Sequence, residues 1–432
     1  MTAFRNNSAK EKASKLFFLI CFVIYAIVSM TKSAYAAAIA SIIGEGLFTK
    51  SSAGIINAGF YLFYATGQLV GVKFVDKISP VKLVSITLIG TLISTIGMAM
   101  STNFWMLLGF WSFCGLVQFP IWPAIVRILS EYLLIIHRDK ANTIISFAFC
   151  FGTFINYFMA SIVLGLARWT MLFWVTSLII VLCLLAWVFV LQKTKPEISL
   201  IVEENKIYNE QLNQRKHSHE SASAHSFLKL LFASGLLFLL LPALFRTALD
   251  AGVKSWVPTM IVENYSVSAE FASTLTTILV FVNATGVFLV RFIYPRKIKN
   301  SVWGYALCFL TALPVSLLLL LIGKVHVALV VFALTVLTTL MYSGHQFINI
   351  IIPSHFIPYH RTGSVAALLN ALASFGAVLA NIAFGFLAEH YGWTITTASW
   401  SVIILLSFVF CAIATPFWEA FVNQKNISSE RR

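Results

Sequence analysis

Runs of roughly 20 apolar residues, each long enough to cross a bilayer at 1.5 Å per residue, recur from Lys15 to Phe417 with a single long polar interruption, Gln192 to Ser226. No water is available inside a bilayer to satisfy backbone groups, so such a chain folds into helices that bond to themselves. Composition agrees: 59% of the 432 residues are hydrophobic and 11% charged, where a soluble domain carries roughly 25% charged residues.

The runs divide into twelve expected spans: residues 16–42, 52–75, 81–101, 103–131, 140–166 and 169–192, then 227–261, 266–293, 301–323, 325–353, 363–388 and 392–416. Leu16 to Met30 followed by Ala34-Tyr35-Ala36 has the outline of a cleavable signal peptide. Hydrophobicity continues through Ile43, however, giving about 27 residues or roughly 40 Å of helix, the length of a tilted span. The expected layout is a cytoplasmic N-terminus (1–15), a six-helix bundle (16–192), a cytoplasmic linker (193–226), a second bundle (227–416) and a cytoplasmic tail (417–432). The linker, rich in Glu, Lys, Asn, Gln, Ser and His, reads as a solvated connection without a core of its own.

A net charge of +14 raises the question of a nucleic-acid partner, and the placement of the bases answers it. Lys73, Lys77, Lys82, Arg138, Lys193, Lys195, Arg296, Lys297, Lys299 and Arg361 fall with both termini on one side of the expected topology, whereas Lys50, Arg168 and Lys324 fall on the other. This asymmetry is the positive-inside pattern, which places the termini in the cytoplasm and leaves no role for nucleic acid. The expected setting is a bacterial plasma or inner membrane, with a multi-pass monomer that meets the lipid bilayer and a small-molecule solute.

The halves repeat. Phe151-Gly152 precedes Trp169 by the same spacing as Phe375-Gly376 precedes Trp393, and Gly115, Gln118 and Phe119 have loose counterparts in Gly344, Gln346 and Phe347. Duplicated bundles place a solute site at mid-membrane between them, served by rocking of one half against the other.

Three motifs stand out: Asp76-Lys77-Ile78-Ser79-Pro80-Val81-Lys82 between spans 2 and 3, Trp122-Pro123 with Arg127 and Arg138 from span 4, and Gly252 with Trp256-Val257-Pro258-Thr259 in span 7. The first resembles the loop signature of the major facilitator superfamily, and the other two are similar to spans 4 and 7 of its organophosphate and sugar-phosphate permease branch. The resemblance implies an all-α fold of about twelve transmembrane helices in two pseudo-symmetric six-helix bundles, with Asp76, Lys77, Arg127 and Arg138 as gating residues and Asp76 paired with Arg127. It also implies a departure. The branch holds phosphate between arginines in spans 1 and 7, and the corresponding positions here are Lys32 and Asp250; its span 2 lysine corresponds to Gln68 and its span 5 histidine to Phe151.

Charges inside spans cost roughly 2.5–3.5 kcal/mol each at a helix centre, so they mark function. Lys32 and Arg127 lie in the first half; Arg246, Asp250 and Lys254 follow at i, i+4 and i+8 along one face of span 7. Lys32, equivalent to span 7 through the repeat, is expected to look toward Asp250. Lys32, Tyr35, Tyr64, Gln68, Arg246, Asp250 and Lys254 are therefore the expected substrate contacts, with Tyr61 a weaker candidate and His345 and Asp250 the candidates for proton coupling. The competing reading is an internal salt-bridge latch.

The six cysteines, Cys21, Cys114, Cys150, Cys183, Cys308 and Cys411, stand singly and read as packing residues. His217, His219 and His225 sit in Ser-rich surroundings that favour a solvated loop over a metal site. No phosphate-cradling loop, HExxH or nucleophile elbow occurs, so no metal, cofactor or enzymatic activity is expected. The function expected is gradient-driven transport of a small organic anion or zwitterion (organophosphate-like, carboxylate or amino acid) by alternating access, as antiport or symport. A ligand sensor of transporter shape and a drug or metabolite exporter are the alternatives.

Overall fold

The computed structural model describes residues 2–75, 77–217, 227–294, 296–323, 325–356, 359 and 361–430. Asp76, His219, His225 and Lys324 lie outside them, as do the side chains of Lys73 and His217.

The chain is a bundle of long helices: α1 (Thr2–Gly44), α2 (Lys50–Val75), α3 (Pro80–Met100), α4 (Phe104–Gln118), α5 (Ile121–Glu131), α6 (Ile135–Leu166) and α7 (Trp169–His217), then α8 (Phe227–Ala233), α9 (Leu236–Tyr265), α10 (Ala269–Asn283), α11 (Thr285–Ile293), α12 (Ser301–Ile322), α13 (Val327–Gln346), α14 (Ile352–Ser354), α15 (Thr362–His390) and α16 (Gly392–Glu430). Eleven spans among the described residues are long and apolar enough to cross a membrane. The twelfth is α2, whose length includes Asn57, Tyr61, Tyr64 and Gln68. Span 4 is α4 with α5, broken at Phe119-Pro120; span 8 is α10 with α11; span 10 is α13 and α14 joined by a π-helical turn, Phe347–Ile351. Span 7 begins later than expected, because Gly235 at φ 67° stops α8 and restarts the chain as α9.

The repeat seen in the sequence has a packing cause. Gly152 of α6 presses on the backbone carbonyl of Ala26 in α1, and Gly376 of α15 presses on the carbonyl of Leu244 in α9. Each half thus uses one glycine to bring its fifth helix against its first, the close approach that small residues allow where lipid gives no hydrophobic drive. The side chain of Gly376→Val has no room beside that carbonyl. Overpacking costs about 1–3 kcal/mol, and a thermal unfolding scan is expected to show destabilisation, whereas Gly363→Val, which meets nothing within 4 Å, leaves the midpoint unchanged.

The two halves meet along α2 with α15, α6 with α10, and α1 with α9. The first two seams are equivalent under exchange of the halves, as a pseudo-two-fold requires.

The stretch read as a solvated linker is helical as far as His217, a continuation of span 6. Ile198 and Ile201 are buried in it, the Asn205 amide donates to the carbonyls of Glu131 and Leu133 at 2.8 and 3.0 Å, and Lys10 pairs with Glu204 at 2.5 Å. An apolar stripe at helical spacing, diluted by Glu, Lys and Asn, docks this extension against the ends of spans 1 and 4. α1 likewise begins at Thr2, well before the apolar run, and α16 continues to Glu430.

Candidate functional site

Lys32 of α1 projects toward α2, where Phe60, Tyr61 and Tyr64 form an aromatic wall. Its ammonium lies 4.1 Å from the Tyr64 ring centroid, 5.5 Å from Tyr61 and 5.8 Å from Phe60. A lysine over ring faces is held by their quadrupoles, worth up to about 2 kcal/mol when water is excluded. Among the described residues Lys32 forms no ion pair, and its nearest characterised partners are these rings.

On α9 the three charges share a face and separate in character. Lys254 pairs with Asp250 at 2.6 Å, with side chains 15% and 17% exposed, so both border open space. Arg246 is 97% buried, being 3% exposed. Its guanidinium donates to the Thr247 hydroxyl, its Nε has no hydrogen-bond partner, and among the described residues no carboxylate pairs with it. Gly344 makes room for it: a Cβ there would stand 3.3 Å from Arg246 Cδ and 3.0 Å from the Tyr305 ring.

Span 10 supplies the facing wall. Tyr342 stacks on His345 with centroids 5.9 Å apart and planes 6° from parallel. Lys254 Nζ lies 5.4 Å from the Tyr342 ring, and the Asn349 amide, carried on the π-helical turn, reaches His345 Nδ1 at 2.8 Å. The charges of Lys32, Arg246, Asp250 and Lys254 all bear on His345, and that of Asp250 on Tyr61. Cys150 of α6 donates its thiol to the Tyr342 hydroxyl at 2.9 Å, and Tyr157 donates to the Lys254 carbonyl at 3.0 Å, each bond crossing between the halves.

The structure therefore brings Lys32, Tyr64, Arg246, Asp250, Lys254 and His345 to one seam, and adds Tyr61, Cys150, Tyr342 and Asn349. Gln68 lies on the adjoining seam, accepting from the Ser374 hydroxyl at 3.3 Å. Tyr35, three residues on from Lys32, is fully buried against Trp111, centroids 5.6 Å apart, and Trp111 in turn packs on Phe60 at 5.1 Å, so it belongs to the packed aromatic cluster beneath Lys32. Tyr342 could have been found from sequence, three residues before His345 and so on its face. Cys150 gave no signal.

Of the expected gating group, Asp76 is outside the described residues. Arg127 donates to the carbonyls of Val75 and Ile78, both at 2.9 Å, and to Glu131 at 3.1 Å. Val75 ends α2, so the guanidinium caps carbonyls that the helix leaves open. Arg138 reaches the Leu133 carbonyl at 3.4 Å, and Lys77 is exposed.

At the face opposite the termini the halves are locked by a polar network the sequence did not reveal. Lys50 pairs with Glu263 at 2.8 Å, Trp393 donates to Glu263 at 2.7 Å, and the Ser51 amide donates to Glu389 at 2.7 Å. Deeper, and fully buried, the Asn57 amide donates to Asn381 at 2.7 Å and to the Ser255 hydroxyl at 3.1 Å, while Trp111 donates to the Asn57 carbonyl at 3.2 Å.

Residues 17–381 match the model of the Major Facilitator Superfamily. The D-galactonate transporter of Escherichia coli O6:H1 is 21% identical over 417 residues, covering 93% of this chain and 95% of that protein. Among solved structures, a bacterial homologue of the human lysosomal transporter Spinster, inward-facing and unoccupied, aligns with a TM-score of 0.70 at 15% identity over 95% of this chain and 98% of that one. The nucleoside transporter NupG aligns at 0.65 and 13% identity, covering 94% and 100%. Those two likenesses establish the fold, and the residues matched to the family model carry the assignment: a multi-span membrane transporter rather than an enzyme, the chain belongs to the Major Facilitator Superfamily.

Proposed function

We propose that this transporter is a secondary carrier of a small organic anion or zwitterion, working by alternating access in a bacterial inner membrane, as a monomer with both termini in the cytoplasm. One observation carries the reading. Three cations and one carboxylate meet at the seam of the halves, the carboxylate is paired with Lys254, and among the described residues Lys32 and Arg246 form no ion pair with an acid.

A buried guanidinium without an anion is costly, and its planar fork matches a carboxylate or phosphate in two parallel bonds. In this reading Arg246 orients the acid group of the solute, and Lys32 adds a point charge from the other half. Tyr61 and Tyr64 offer ring faces to the carbon skeleton, and Gln68 offers its amide. Asp250 accepts from solute hydroxyls or an amine and, with His345, is placed to couple proton movement. Arg127, Arg138 and Lys77 belong to the cytoplasmic ends, where the Arg127 contacts brace the end of α2, while the Asn57 and Lys50 contacts close the opposite face. D-Galactonate, the solute named for the relative, is a polyhydroxylated carboxylate and suits this set of groups.

Uptake into proteoliposomes is the test. Purified protein is expected to accumulate labelled D-galactonate, or another hydroxylated carboxylate in a competition panel, and to lose accumulation on Lys32→Ala. Binding without accumulation would establish a sensor, and preferential movement of uncharged lipophiles would establish an exporter.

A further inference from the structure

The end of span 8 carries a second cationic feature, unused by the transport reading. Phe288, Leu289, Arg291, Phe292 and Arg296 line a groove of about 470 Å³ on the outer surface. Its floor is apolar and open to the surroundings, with Phe292 73% and Phe288 55% exposed. Its rim is basic: the Arg296 guanidinium lies 5.1 Å over the Phe292 ring, Arg291 is exposed in the last turn of α11, and Lys297 and Lys299 follow, also exposed. No acidic residue occurs from Thr285 to Asn300. Among the described residues none of the four bases forms an ion pair. Glu419 accepts from the Asn300 amide at 3.0 Å, at the end of this stretch.

An exposed apolar floor beneath a basic rim, at the level where a span leaves the hydrocarbon, fits one molecule at both ends. We infer that this groove binds an anionic phospholipid, whose phosphate is held by Arg291 and Arg296 and whose acyl chain lies along Phe288, Leu289 and Phe292. Basic pockets beside spans on the cytoplasmic side attract such headgroups, with about 1 kcal/mol per basic residue. A soluble phosphate would meet the same arginines but gain nothing from the aromatic floor. The position also gives the lipid leverage. Phe288 stacks on Phe147 of α6 at 5.7 Å, one of the ring contacts that join the two halves, so an occupant of the groove lies against a seam that must slide during transport.

The experiment follows the unfolding midpoint of the full-length protein in detergent as short-chain phosphatidylglycerol, phosphatidylcholine or glycerol 3-phosphate is added. Phosphatidylglycerol is expected to raise the midpoint at concentrations where the other two do not. The Arg291→Gln/Arg296→Gln variant should need roughly thirtyfold more of it, two groups at about 1 kcal/mol each with 1.4 kcal/mol per factor of ten. Equal stabilisation by phosphatidylcholine would show that only the acyl chain matters, and equal stabilisation by glycerol 3-phosphate that the site takes a free anion; either overturns the inference. So does an unchanged phosphatidylglycerol response in the double variant. The comparison of the three additives on the unaltered protein decides the matter even if that variant does not fold.

Discussion

Arg246→Met is expected to abolish binding of the transported anion and, in the same preparation, to raise the thermal stability of the empty protein. The two effects share one cause. The guanidinium is almost wholly buried, its Nε is unpartnered and, among the described residues, no carboxylate forms an ion pair with it, so the empty state bears much of its desolvation cost. Methionine has similar reach and no charge, and removal of an uncompensated buried ion is expected to return at least about 1 kcal/mol. Binding moves the opposite way. Loss of two charge-assisted hydrogen bonds, each about 1.5–3 kcal/mol, weakens affinity by a hundredfold or more. Arg246→Lys keeps the charge but not the fork and should bind with intermediate affinity. Thermal unfolding with and without the anion checks both halves of the expectation. A purely structural Arg246 would give the reverse, a methionine variant that unfolds earlier and still binds.

Asn57→Leu is expected to unlock the face opposite the termini. Asn57 is the hub of the buried network, donating across the seam to Asn381 and Ser255. Leucine leaves the Asn381 carbonyl without its donor in a dry interface, at a cost of about 1–3 kcal/mol for each orphaned group. The penalty applies mainly when that face is closed, because water satisfies Asn381 once it opens. The equilibrium should therefore shift toward the open-outward form by tenfold or more. Ser255 is 2% exposed in the closed arrangement, so Ser255→Cys, with Cys150 replaced by alanine, reports the shift. Its reaction with a membrane-impermeant maleimide should accelerate by that factor when Asn57→Leu is added. An unchanged labelling rate would mean that Lys50, Glu263 and Glu389 hold the face closed without it.

The twelve spans, the duplication and the charged stripe on span 7 were legible in the sequence because each is a local pattern: length of an apolar run, a recurring Gly-to-Trp spacing, an i, i+4, i+8 series. The choice of helical partner for Asp250 was legible too. An acid four residues before a base is the favoured order on a helix, since side chains lean toward the N-terminus and the later residue reaches back. Lys254 meets that condition and Arg246 does not, so the cation that forms the ion pair could have been named. What the sequence withheld depends on packing between distant segments. Lys32 lies over the rings of Tyr61 and Tyr64, which α2 presents to it, and Tyr35 is packed into the same aromatic cluster through Trp111. Asn57 and Asn381, 324 positions apart, meet only once the bundles close. The extension of span 6 was misread for a different reason: Ile198, Ile201 and Val202 are too few among charged neighbours to announce a buried face, and the surface they cover belongs to spans 1 and 4.

A density map of the protein saturated with whichever anion it accumulates best would locate the solute directly. Its acid group should lie about 2.7–2.9 Å from the Arg246 guanidinium, with the Lys32 ammonium drawn off the Tyr64 ring toward it. Density for the solute elsewhere in the bundle, with Arg246 still facing Thr247 alone, would contradict the assignment of these two cations to the solute.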